Sequence, residues 1–132
     1  MTAKRIVAGL YRDWRAVTFV WGSADCLHFA AACAEMITGT DPAAALKRRY
    51  SSETGAKRVM VNEGWHTMGD VAASLLPEVP VAQACSGDWA HIEDEYGHDG
   101  LGVVCGHMIA VRSETGMGQM PLGQALRVFR VE

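Results

Sequence analysis

The chain changes texture near Val79: before it, apolar residues recur at helical spacing, and after it, glycines bracket short runs of β-formers. Helices gathered in one half and strands in the other predict a segregated α+β fold, a meander sheet covered by a helical layer. Ile6, Val7, Leu10, Trp14 and Val17 predict an amphipathic helix over 3–17, with Arg12, Asp13 and Arg15 mostly on its wet side. Gly22-Ser23-Ala24-Asp25 offers turn and N-cap chemistry before a second stripe, Cys26, Phe29, Ala30, Cys33 and Ile37, which Gly39 closes. Asp41-Pro42 opens a short helix through about Arg48, and Ser52 opens another ending near Gly64. Thr67 with Asp70 resembles a capping box that starts a helix through Leu75 or Leu76. Strands are expected over 88–93, 101–105, 108–112 and 127–131, with turns at Gly106-His107 and Glu114-Thr115-Gly116 and a short turn or helix over 121–125. The stretch 116–120 reads as a turn, and lacks the signature of a phosphate loop.

A length of 132 residues suits one domain, 1–132. At that length folding hides roughly two-thirds of the extended surface, so the core needs no disulfide or metal. Twelve Lys and Arg against fifteen Asp and Glu leave a formal charge of −3, with no like-charge run longer than Lys47-Arg48-Arg49. Nucleic acid is therefore not an expected partner, since phosphate binding draws on clustered positive charge. Cys26, Cys33, Cys85 and Cys105 form no CxxC pair and do not resemble a secreted disulfide framework. Residues 1–18 interrupt their apolar positions with Lys4, Arg5, Arg12, Asp13 and Arg15, so neither a signal-peptide core nor a membrane span is expected. The expected place of synthesis is a reducing bacterial cytoplasm.

Among chemistry-bearing residues, Cys26 stands out, because unsatisfied amides and the dipole at a helix start favour thiolate over thiol. The alternative is a small buried hydrophobe, since Cys26 lies on the core-facing stripe. Cys33, deeper on that stripe, reads as packing. A thiol nucleophile needs a base. Of the five histidines, His28 lies about 200° around the helix from Cys26, and His66 and His91 read as solvated or packed. His98 and His107 bracket one strand and cannot both serve, since nine residues of extended chain span roughly 30 Å. Cys105-x-His107 with His98 or His91 lacks the short-range paired ligands of ordinary zinc sites. No cofactor or metal is expected.

Trp21-Gly22 ahead of Asp25-Cys26, Phe29-Ala30-Ala31, Thr38-Gly39-x-Asp41-Pro42, Tyr50, Gly87-Asp88, Leu101-Gly102-Val103-Val104-x-Gly106 and a terminal Arg-Val-Phe-Arg-Val resemble an uncharacterised family of phage and prophage tail-region proteins. That family is similar to the NlpC-type papain-like cell-wall cysteine peptidases, and the resemblance covers nearly the whole chain. It implies a papain-like (NlpC-type) α+β fold, with N-terminal helices packed on a C-terminal antiparallel sheet. In the peptidases the cysteine cleaves amide bonds of peptidoglycan stem peptides, assisted by a histidine opening the next strand pair and a polar residue one strand further on. Cys26 matches the nucleophile, with Asp25 and Cys26 at the helix start as cap and oxyanion site. The expected histidine falls on Gly100, His98 lies two residues upstream as the candidate base, and the third polar position falls near Arg112. The first functional reading is a tail tip or tail assembly component with degenerate catalytic machinery, whose partners are other tail-tip or tail-hub proteins in a phage-like particle. The alternative is an active amidohydrolase, a peptidoglycan endopeptidase with Cys26 as nucleophile. A toxin or acyltransferase on the same fold is a third possibility.

Overall fold

The computed structural model describes residues 1–132. Thr2 caps the first helix, α1 (Ala3–Trp14), through its hydroxyl, which accepts from Arg5 N at 3.3 Å. α1 stops three residues short of the predicted Val17. Past Trp14 the helix tightens into i→i+3 turns, Ala16 N donating to Asp13 O and Val17 N to Trp14 O, and Arg112 reaches across from the sheet and donates to Trp14 O at 3.1 Å and Val17 O at 2.6 Å. Its guanidinium lies over the Trp14 and Phe19 rings, and it satisfies carbonyls that the helix end leaves without intrahelical partners. α2 (Cys26–Thr38) starts at Asp25 and ends at Gly39, whose φ of +85° gives the left-handed cap. α3 (Glu53–Glu63) runs from Ser52 to Gly64, and α4 (Met68–Leu75) opens with the capping box of Thr67 and Asp70. The helix expected after Asp41-Pro42 is reduced to one 3₁₀ turn, Ala44–Leu46, because only Ala43 and Leu46 find core to bury in. No helix is long and apolar enough to cross a membrane.

The strands are β1 (Glu78–Val79), β2 (Trp89–Glu93), β3 (Asp99–Cys105), β4 (Met108–Ser113), β5 (Gly116–Pro121) and β6 (Arg127–Phe129). They form one antiparallel sheet in the order β1-β6-β2-β3-β4-β5. β2 to β4 are predicted strands, and with β5 they form a meander. β6 departs from it, returning to pair with the free side of β2, Trp89 opposite Phe129. The stretch 116–120 is a correction: it forms most of edge strand β5, with Ile109 opposite Met120 and Val111 opposite Gly118. Its glycines hide the alternation that would announce a strand, and its partner β4 supplies the order.

Sixteen buried residues, from Val7 of α1 to Phe129 of β6, form the main core between helices and sheet. Trp89 lies fully buried there, its indole N–H donating to Ala30 O of α2 at 3.0 Å, and the Trp14 ring meets Phe29 edge-on at 5.3 Å. The other sheet face buries a smaller cluster, Ala90, Ile92, Val104 and Ile109, beneath Leu122 and Ala125.

Candidate functional site

The candidate site is the start of α2, where a buried carboxylate organises three segments. Asp25 is 2% exposed and accepts four hydrogen bonds: Gly22 N at 2.9 Å, His28 N at 3.0 Å, His28 Nδ1 at 2.6 Å and the Tyr50 hydroxyl at 2.6 Å. Gly22 has a φ of +88°, and a Cβ there would sit 2.0 Å from Tyr50 O, so only glycine lets the Tyr50 segment close over the helix start. Burial alone would raise the Asp25 carboxyl, but donors from His28, Tyr50 and Gly22 outweigh it and hold the group below 3.8. Being ionised, Asp25 fixes the His28 proton on Nδ1 and leaves His28 Nε2 buried without a partner. Tyr50 is held protonated well above the ordinary phenol range by burial and by Asp25.

Cys26 follows directly, half-buried, in the first turn of α2. Its thiol is pushed up from 9.0 to about 12, first by burial, then by the Asp25 charge, with Asp99 adding to it; Leu101 and Leu27 backbone groups pull the other way. A helix start favours an anion by about 0.3–1 kcal/mol, whereas a shift of each pKa unit corresponds to about 1.4 kcal/mol. Desolvation beside a carboxylate therefore wins over the dipole. At neutral pH the thiol is held protonated.

No imidazole is hydrogen-bonded to the Cys26 sulfur. His98 stands on the β2–β3 turn with its side chain 78% exposed, its Nδ1 paired with Asp94 at 2.9 Å and its backbone N–H donating to the same carboxylate. Gly100 lies on the other sheet face: it pairs with Ile92, and a Cβ there would come 3.9 Å from Ile92 Cγ1, away from Leu101 and Val103 beneath the helices. A histidine at Gly100 would therefore point away from α2. The neighbouring helix-side position on β3 is Asp99, which pairs with His91 Nε2 and accepts from Met68 N of α4 at 2.6 Å. Arg112 is spent on the α1 carbonyls. His107 is exposed on the β3–β4 turn and His66 just before α4. All four cysteines are unpaired, and no group of His, Cys, Asp and Glu is placed to hold a metal ion.

The residues that sequence reasoning missed are His28, Tyr50, His91 and Asp99. His28 carried a usable signal, because it occupies the third helical position after an Asp N-cap, the place from which a side chain folds back on the cap. Tyr50 and the His91–Asp99 pair carried none, since 25 and 8 residues separate the partners.

The domain family described as "Domain of unknown function (DUF6950)" matches residues 3–131. No curated protein matches the chain. Among solved structures, the crystal structure of the NlpC/p60 domain of peptidoglycan hydrolase SagA aligns with a TM-score of 0.58 at 14% identity, covering 96% of this chain and 97% of that one. At that identity the likeness is one of fold: helices on an antiparallel sheet, the papain-like scaffold of NlpC/p60 domains.

Proposed function

Starting from the fact that this chain belongs to the DUF6950 family, we propose that it is a tail tip or tail assembly component of a phage-type particle, using a papain-like scaffold to dock rather than to hydrolyse. On this reading it is made in the bacterial cytoplasm and built into the particle against other tail-tip or tail-hub proteins. The tail assignment is supported by the sequence resemblance carried by Trp21-Gly22, Asp25-Cys26, Tyr50 and Gly87-Asp88. The observation that carries the non-hydrolytic part is the setting of Cys26: a thiol pushed to about 12 between carboxylates, with no imidazole bonded to it. A nucleophile requires the opposite arrangement, a depressed pKa and a base in hydrogen-bond range.

The competing reading, a peptidoglycan amidohydrolase, draws on the first-turn position of Cys26 and the architecture shared with a peptidoglycan hydrolase domain. Stem-peptide cleavage by wild type and Cys26→Ala separates the two. Equal, background-level turnover is expected; wild-type cleavage that Cys26→Ala abolishes would establish the hydrolase. The docking reading also predicts capture of tail proteins from disassembled particles by wild type and Cys26→Ala alike, and failure of both to capture any would overturn the tail role.

A further inference from the structure

The surface carries a basic groove and an acidic finger. The groove, of about 400 Å³, runs beside α1 and is lined by Met1, Ile6, Gly9 and Met36, with Arg5 and Arg12 at its rim. Met36 is 62% exposed although it belongs to α2. Residues 4–15 carry Lys4, Arg5, Arg12 and Arg15 against a single acid, Asp13. That acid is a weak partner, 3.9 Å from Arg12 with both side chains more than two-thirds exposed, and Arg5 has no ion pair.

The finger is the β2–β3 hairpin. Residues 93–99 contain Glu93, Asp94, Glu95 and Asp99 and no Lys or Arg. At its tip Tyr96 is 78% exposed. The loop is preset: the Asp94 carboxylate accepts from Tyr96 N at 2.9 Å and His98 N at 2.8 Å, and pairs with His98 Nδ1. An exposed aromatic on a fixed loop gives up little conformational freedom on docking.

β3 runs from the base of the finger to the start of α1. It begins at Asp99, opposite Glu93 at the base of the finger, and ends at Cys105, whose thiol donates to Lys4 O of α1 at 3.6 Å. Tyr96 stands exposed on a loop that Asp94 fixes, so the finger does not occupy its own groove. A second copy can supply it. We propose that the β2–β3 finger of one copy docks head to tail in the α1–α2 groove of the next, Tyr96 against Met36 and Ile6, Glu93 and Glu95 against Arg5 and Arg12. Thioether and guanidinium groups both favour an aromatic ring, and the charges steer the encounter and fix its polarity. Because the two faces differ, the contact is heterologous and propagates into a ring or a filament. It does not depend on the tail role or on the state of Cys26.

Sedimentation velocity on the intact chain tests it with two surface variants whose circular dichroism confirms folding. One, Glu95→Gln with Tyr96→Ser, removes the finger; the other, Arg5→Gln with Arg12→Gln, removes the groove. Wild type is expected to form species larger than a dimer at high concentration and low ionic strength, dispersed by salt. Each variant alone should weaken association about tenfold or more. Mixed in equal amounts they should form a dimer that grows no further, since each retains one working face. A wild type that stays monomeric, stops at a dimer, or associates undiminished in either variant overturns the proposal.

Discussion

Asp25 settles the local chemistry of α2 more than the thiol beside it does. Its carboxylate ties the helix start, the Gly22 turn and the Tyr50 segment together, and its charge helps to keep Cys26 protonated. Asp25→Asn replaces a buried, multiply bonded anion by an amide that cannot accept from all these donors, and should cost about 2 kcal/mol at pH 7. The folded-state pKa lies below the reference 3.8, so this stabilisation is present above that value and is lost as pH falls through the folded pKa. Urea unfolding of both proteins at pH 7 and near pH 3 should show the deficit shrinking with acid; a deficit that stays constant contradicts the assignment. At this scale the sequence showed an N-cap at Asp25 and a thiol in the first turn. It did not show what the cap was tied to, and that decides the thiol's state.

Helix boundaries set by capping within four residues agree with their sequence signals: Thr67 and Asp70 open α4, Ser52 and Gly64 bound α3, and Gly39 ends α2. The end of α1, which Arg112 meets from across the sheet, does not. α4 also carries a conflict between element and fold. Gly69 lies in its first turn, where alanine would gain up to about 1 kcal/mol of helix propensity. A Cβ there, however, would lie 2.8 Å from His91 Nδ1 and 3.1 Å from Arg127 Nη1, and forcing atoms into packed space costs about 1–3 kcal/mol. The packing term wins, so Gly69→Ala should destabilise by about 1–2 kcal/mol. In a His91→Ala background the same substitution should cost much less, a coupling that a double-mutant cycle reads directly. Equal costs in both backgrounds would remove His91 as the reason for glycine.

Over the whole molecule, the main core joins residues of α1, α2, α4, β2, β3, β4 and β6, so the helical layer is held to the sheet by one shared core. Unfolding should be a single transition, with near-ultraviolet and far-ultraviolet circular dichroism giving the same midpoint. Separate midpoints would mean that the layers are independent. The division into helices and sheet was legible in the sequence because hydrophobic period and caps act over a few residues, and the Asp25-Cys26 helix start was legible for the same reason. The insertion of β6 between β1 and β2, the facing of Gly100 away from α2, and the partnerships of Asp25 with Tyr50, Asp99 with His91 and Arg112 with α1 were decided by tertiary structure. Each joins segments whose spacing along the chain carries no information about their meeting, and side-chain chemistry at a site is set by which groups meet.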